Sequence, residues 1–581
     1  MKKLLYPRAP SLASQFTLTF LLIICFIISI KPYLNSRFPY THDGENHLAR
    51  FANYKIAVKE GQIPPRFAPN LFNRYGYPVF NYNYPLANIL SLPFSFLKIN
   101  YEITFKLISI SFIALGLLGI NHWLKKLKLN QESRLLAQTL FVLNPYLINL
   151  VYFRGNIGEI MALGLLPWLF YIIEKIASKK TKHLLTVKDI AIFTAFLLSH
   201  NITVLFTIPF LIIYALFKFK KDLFTWKKLG LNFIYAVCLS LWFWLPAIAE
   251  KSEVVLDAVD LSKGFNKHFP RLSQLLFSTY SFGFSYLSKI DSISFNLGYT
   301  QWTILLIGLI VIYKLFKQTK DKVNCEAREG ALGYKHQFQY LKLFSILTFL
   351  LIIFQLDFTT AIWKILPLAS YIQFPWRLSL FFSILILPLA AIVFSLINKK
   401  IRLLIVAMIL VQLLCVTKTK PADYFHRTNV DYDAFPQSSS TLNENTAKTF
   451  TYQIGEWQLG PVILEGNGES EIAYWKGSSR QYKLNLQEKS IIVESTMKYL
   501  GWQTTVNGNK ITYIDSEEIG GRIAYQLPAG EYTIISKFTQ NTWARIVGNT
   551  VTLLSFTFLL VYQYKLFNPK FKLCLSCPKK N

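Results

Sequence analysis

The densest concentration of reactive side chains is Thr41-His42-Asp43-Gly44-Glu45-Asn46-His47-Leu48-Ala49-Arg50. Two carboxylates, two imidazoles and a guanidinium fall between His42 and Arg50, in a chain that is 52% hydrophobic and only 16% charged. Asp43 and Glu45 stand two apart around Gly44. In extended or turning backbone, side chains at i and i+2 share a side, and a glycine lets the chain turn tightly or approach a ligand. Two carboxylates so placed act as general base and metal ligand, or as helix N-cap and first-turn charge. From Glu45 onward, Leu48, Phe51, Ala52 and Ile56 lie on one helical face, which keeps Asp43 as an N-cap in play.

The elements that must position this stretch are those of a membrane protein. Long apolar runs recur through the 581 residues, and each is long enough to span a bilayer as a helix. The formal net charge of +30 sits in short clusters between those runs, such as Lys125-Lys126-Lys128, Lys218-Lys220-Lys221, Lys314 to Lys342 and Lys399-Lys400-Arg402. Lys2-Lys3-Arg8, Lys179-Lys180-Lys182, Lys227-Lys228 and Lys565 to Lys580 complete the set. That is the positive-inside pattern, so nucleic-acid binding is excluded and both termini are expected in the cytoplasm.

A first run at 15–31, with a basic N-terminus and no small-residue cleavage site, reads as an uncleaved signal anchor. It places 32–100 outside as a large first loop rich in Pro, Tyr and Asn, with aromatics suited to a membrane interface. Leu86 to Leu97 is too short to span and reads as re-entrant or lying flat. Spans are expected at 103–123, 135–151, 158–176, 229–249, 300–316, 341–356, 378–397, 401–416 and 545–563, and 188–218 reads as two short helices broken at Ser199-His200-Asn201. About twelve spans satisfy every charge cluster.

The domains expected are therefore a multi-span body at 1–416, a polar outer domain at 417–544, a last span at 545–563 and a basic tail at 564–581. Within the outer domain, 423–448 reads as a linker. Short strand-like runs follow, Trp502 to Val506 and Ile511 to Tyr513 flank Asn507-Gly508 as a hairpin, and the pattern predicts a small β-sandwich. The six cysteines form no framework: Cys25, Cys238 and Cys415 fall in apolar runs, Cys325 in a basic loop, and Cys574 and Cys577 in the tail. No disulfide is expected.

Three further constellations fall on the same outer side by this topology. They are Arg154-Gly155-Asn156-Ile157-Gly158-Glu159, Ser199-His200-Asn201, and Gln373-Phe374-Pro375-Trp376-Arg377. Ionisable groups at span ends mark cavities or substrate paths. The bland alternatives are an Arg154–Glu159 pair, a core His200 and an Arg377 that snorkels to headgroups.

Together with Ile63-Pro64-Pro65-Arg66 and Tyr75-Gly76-Tyr77-Pro78, these stretches resemble the bacterial multi-pass proteins labelled 6-pyruvoyl-tetrahydropterin-synthase-related, and Tyr499-Leu500-Gly501-Trp502 resembles the C-terminal β-domain of related lipoteichoic-acid and cell-wall glycosylating proteins. The multi-pass proteins are in turn similar to the GT-C class of membrane glycosyltransferases. The resemblance implies a sugar moved from a polyprenyl-phosphate donor to an envelope acceptor at the outer face of a bacterial plasma membrane. Asp43 would be the general base, and Glu45 would orient it, hold a sugar hydroxyl or bind a divalent metal with it. Arg154, His200 and Arg377 would meet the donor phosphate, with His42, His47, Arg50, Glu159 and Asn201 as further substrate contacts. Tyr and Trp of the first loop would face sugar rings or prenyl chain. No pterin site is visible, no cofactor is certain, and metal dependence, on a divalent ion, stays open. The alternatives are a transporter or flippase of envelope precursors and a non-catalytic envelope-assembly protein.

Overall fold

The computed structural model describes residues 12–178, 183–257, 264–285, 293–321, 330–366, 371, 373–440, 442–453, 455 and 457–567. Lys2-Lys3-Arg8, Lys179-Lys180-Lys182, Cys325, Cys574 and Cys577 lie outside the described residues.

Ten described helices are long and apolar enough to cross a membrane: Leu12–Ser29, Tyr101–Lys126, Gln131–Arg154, Ile157–Ala177, Asn201–Phe219, Leu223–Ala249, Tyr299–Lys317, Pro375–Leu396, Lys399–Lys418 and Trp543–Tyr564. Gln337–Ile353 and Asp357–Ile365, bent by 92°, would add an eleventh. The remaining expected span is Val187–Leu197, whose 11 residues rise only about 16 Å against a hydrocarbon core of about 30 Å. It meets Asn201–Phe219 at the Ser199-His200 break, as the pair of short helices read from 188–218.

Pro375–Leu396 is wholly enclosed by the other helices. Tyr101–Lys126 runs along Ile157–Ala177 at close range, because a Cβ on Gly164 would lie 2.1 Å from the carbonyl oxygen of Phe112. Small residues permit such backbone contact where no hydrophobic force separates helix from lipid.

The first loop carries a helix, Gly44–Lys59, and the short apolar helix Leu86–Phe96. Its aromatics were expected at a lipid interface or against substrate. Phe67, Tyr75, Tyr77, Phe80 and Tyr82 are instead buried in one protein core with Tyr499, Trp502 and Phe538. Phe67 stacks on Phe538 at 5.4 Å and meets Trp502 edge-on at 5.7 Å. The β-rich part and the first loop thus share apolar surface that neither can bury alone.

Two short strands, β1 (Phe38–Pro39) and β2 (Tyr424–Phe425), pair antiparallel. The remaining strands are β3 (Pro461–Glu465), β4 (Gly468–Trp475), β5 (Ser479–Leu486), β6 (Ser490–Met497), β7 (Trp502–Val506), β8 (Asn509–Lys510), β9 (Arg522–Leu527) and β10 (Gly530–Phe538). They form sheets of order β4-β5-β10-β7-β8 and β3-β6-β9. Tyr482, Leu484, Leu486 and Ile534 of the first meet Ile492, Tyr525 and Leu527 of the second, which makes a sandwich. The Asn507-Gly508 hairpin is present, with φ of 47° and 84° at its two loop residues, the left-handed values of a type I′ turn. Cys25, Cys238 and Cys415 are free thiols.

Residues 423–448 differ from the linker expected. Besides the β1–β2 pair, Asp433 binds Lys55 at 3.0 Å, Ser439 binds Arg50, and Asn445 N donates to Tyr77 Oη at 2.9 Å. A polar, apolar-poor segment reads as loose from its own composition. It is ordered here because the first loop supplies its hydrogen-bond partners.

Candidate functional site

The site begins where Gln131–Arg154 ends. A π-turn at Leu150–Arg154 closes on Gly155, whose φ is 65°. A Cβ there would lie 2.1 Å from Thr41 Oγ1 and 2.9 Å from Gly44 N, so only glycine lets the acidic stretch approach. His42 N donates to Phe153 O at 3.0 Å and Asp43 N to Arg154 O at 2.8 Å. Two chain segments distant in sequence are thereby fixed side by side.

Glu159, in the first turn of Ile157–Ala177, is the hub. It is 1% exposed. Arg154 grips it in a fork, Nη1 to Oε2 at 2.5 Å and Nη2 to Oε1 at 2.8 Å. Tyr146 Oη donates to Oε2 at 2.5 Å. His200 Nε2 and Arg377 Nε lie 3.8 and 3.7 Å from Oε1. Arg377 also donates to Gln373 Oε1 at 2.7 Å and lies over the Phe374 ring. The Arg154–Glu159 pair is therefore real, and it is the centre of the cluster rather than an alternative to it.

Three helices, Ile157–Ala177, Asn201–Phe219 and Leu378–Leu396, begin at this cluster; the side chains of Asn156 and His200 cap the first two, and Arg377 precedes the third without a capping bond. Each N-terminus adds about half a positive charge. Two arginines and three such ends face one buried carboxylate, so the field favours a further anion. A narrow crevice of about 10 Å³, room for about one water, adjoins it, lined by Tyr146, Glu159, Ile202, Thr203, Phe206, Arg377, Leu380 and Phe381.

Asp43 is half-buried beside this cluster. It occupies the N-cap position of Gly44–Lys59, yet its side chain makes no capping bond. Its Oδ2 instead accepts from Asn156 Nδ2 at 3.2 Å. Asn156 is oriented in turn, since its Oδ1 accepts from Glu159 N and from Tyr84 Oη, both at 3.0 Å. Burial raises the Asp43 carboxyl above the ordinary aspartate range, opposed by the charges of Arg154 and Arg50 and by the Asn156 bond, and assisted by Glu159.

Glu45 does not join Asp43. The helix starts at Gly44, where i and i+2 side chains diverge, and the Glu45 carboxylate pairs with Arg427 at 2.7 Å. The extended-backbone spacing that would have put the two acids on one side is absent. No group of three or more His, Cys, Asp or Glu able to hold a metal occurs among the described residues.

The other expected contacts divide. His42 lies between Phe282 and Phe284, at 4.5 and 4.6 Å, and burial lowers its pKa to about 4. His47 is buried, 3.3 Å from Tyr84 Oη, and burial takes its pKa well below the ordinary value. Both imidazoles are neutral at pH 7. Arg50 turns to Ser439, and Asn201 donates to Tyr82 O at 3.0 Å. Asn156, Tyr146, Tyr84 and Arg427 were missed. Asn156 had a local signal, a helix-capping asparagine just before Glu159, and Tyr146 stands eight residues before Arg154, whereas Tyr84 and Arg427 come from distant segments.

A family model described as a 6-pyruvoyl-tetrahydropterin synthase related domain, of membrane proteins, matches residues 80–422. The chain belongs to that family. The matched region holds Arg154, Glu159, His200, Asn201 and Arg377, while Asp43 precedes it. An uncharacterized member of the curated proteins, from Lactococcus lactis subsp. cremoris (strain MG1363), is 26% identical over 341 residues, 53% of this chain and 52% of that protein. The chain thus matches about half the length of that relative. Among solved structures, the arabinofuranosyltransferase AftD from mycobacteria is 14% identical with a TM-score of 0.38, over 71% of this chain and 27% of that one. The apo oligosaccharyltransferase of Archaeoglobus fulgidus is 12% identical with a TM-score of 0.35, over 76% and 58%. Likenesses that weak carry no argument about this family member's chemistry.

Proposed function

We propose that the chain is a membrane glycosyltransferase that moves a sugar from a polyprenyl-phosphate donor to a cell-envelope acceptor at the outer face of the plasma membrane, with both termini inside. The observation that carries the reading is a carboxylate held by an amide, Asp43 on Asn156, beside a buried cluster with an excess of positive field. Asp43 takes the proton of the acceptor hydroxyl as its oxygen attacks the anomeric carbon. The bond from that carbon to the phosphate oxygen breaks, and the charge on the departing phosphate grows beside Arg377 and the three helix N-termini. Arg377 lines the crevice beside Glu159, 3.7 Å from its carboxylate, and is the arginine we assign to the phosphate. Glu45 holds the loop rather than the sugar.

The test uses the full chain in proteoliposomes, labelled sugar on a polyprenyl phosphate and isolated envelope fractions. Transfer should require the protein and the lipid-linked donor. Arg377→Ala should raise KM for the donor about tenfold, the loss expected for one charged hydrogen bond. Absence of transfer from every lipid-linked sugar tried, or transfer from a soluble nucleotide sugar alone, would sink the proposal.

A further inference from the structure

Residues 423–440 strap the helix that follows Asp43, meeting its first turn, its far end and then its middle. At the near end β2 pairs with β1, Phe38 opposite Phe425 and Pro39 opposite Tyr424. Tyr40 N continues the contact by donating to Asp423 O at 2.8 Å. Arg427 then reaches Glu45 in the first turn of Gly44–Lys59, 2.7 Å between Nη2 and Oε1. Further on, Ser439 Oγ accepts from Arg50 Nε at 3.2 Å, the Ser439 carbonyl accepts from Arg50 Nη2, and Asp433 takes Lys55 at 3.0 Å.

Arg427 is itself anchored. Its backbone N donates to Glu102 Oε1 at 2.7 Å, and the neighbouring His426 Nδ1 lies 2.9 Å from Glu102 Oε2. Glu102 is 1% exposed, in the first turn of Tyr101–Lys126, and Tyr432 Oη donates to it at 3.2 Å. A chain of contacts therefore leads from a span, through Arg427, to the residue two places beyond Asp43. Nothing in the chemistry drawn above uses Glu45 or Arg427.

We infer that Arg427 is a positioning residue: through Glu45 it holds the start of Gly44–Lys59 against Phe153 and Arg154, and so fixes where the Asp43 carboxylate points. The strap does this without touching the carboxylate. Among the described residues, the hydrogen bonds between the Asp43 loop and the Arg154 segment are the two backbone bonds from His42 and Asp43 and the Asn156 amide. A helix start freed to swing would lengthen these first, and a shift of about 1 Å in a reacting group is enough to cost about a hundredfold in rate.

Two readouts test this on the full chain in nanodiscs. The first is amide hydrogen exchange in the peptide that contains His42 and Asp43. Arg427→Glu and Glu45→Arg should each raise exchange there about tenfold, and the double variant, with the charges swapped, should restore it. Peptides of the β-sandwich should not change in any of them. Should Arg427→Glu fail to fold, Arg427→Gln is read in its place. The second is transfer kinetics, which rests on the transferase reading: the single variants should lose kcat with donor KM unchanged, and Arg427→Lys should recover most of it. Single variants that exchange like wild type, or a charge swap that exchanges like the singles, would overturn the inference. A wild-type chain without transfer removes the transferase reading while the exchange experiment still decides this one. A charge swap that restores protection but leaves transfer lost would overturn the positioning role by giving Glu45 a chemical part of its own.

Discussion

Glu159→Gln is the substitution whose cost follows most directly from the geometry. The side chains of Arg154 and Glu159 are 7% and 1% exposed, and they share two hydrogen bonds of 2.5 and 2.8 Å. Glutamine keeps the shape and one acceptor for Tyr146, but it leaves Arg154 buried without the carboxylate it is paired with. Arg377, whose Nε lies 3.7 Å from Glu159 Oε1, then adds repulsion. Breaking a buried pair by removing one partner costs roughly 3–5 kcal/mol. Unfolding in mixed micelles by SDS titration, followed by tryptophan fluorescence, measures this. Replacing both partners by Arg154→Met with Glu159→Leu should recover part of the loss, because paired burial is itself expensive. A Glu159→Gln chain as stable as wild type would refute the view that this pair is the centre of the cluster.

Other outcomes follow from the same structure. The raised Asp43 carboxyl binds its proton more tightly in the folded chain than in the unfolded one, so its contribution to stability is lost as pH rises through the folded pKa. The base needs the opposite state, so transfer should fall, with an acid limb above the usual aspartate value of about 3.9, while stability rises as pH is lowered. A limb at the ordinary value, measured from kcat against pH, would contradict this. Phe67→Ala should destabilise by about 3–5 kcal/mol, because the ring is fully buried between the first loop and the sandwich. A smaller loss in the same SDS titration would show that the two parts are not one core. Ser470 and Asn507 are exposed on the sandwich. Cysteines placed there in a cysteine-free background should react with an impermeant maleimide on intact cells, and reaction only after permeabilisation would reverse the orientation.

The apolar runs, the break at Ser199-His200 and the Asn507-Gly508 hairpin each have a cause within a few residues. The acidic stretch was visible from its density of charge. Its internal arrangement was not, because the pairing of Asp43 with Glu45 depended on backbone that turns out helical from Gly44. Partners set by the fold were out of reach: Asn156 lies 113 positions from Asp43, and Ser439 lies 389 from Arg50. The strap was read as a linker for the same reason, since its order comes from a surface supplied elsewhere in the chain. Arg377 was legible as an ionisable group at a span end, but its place beside Glu159 was a matter of packing.

The most direct measurement is transfer of labelled sugar by Asp43→Asn protein. Asparagine has nearly the same shape as aspartate, caps a helix about as well, and can still meet the Asn156 amide through its carbonyl oxygen, but it cannot accept the proton. With Asp43 as the base, the variant should insert and fold as wild type yet transfer at least about 100-fold more slowly. A well-folded Asp43→Asn chain that transfers sugar at the wild-type rate would contradict the assignment of this site.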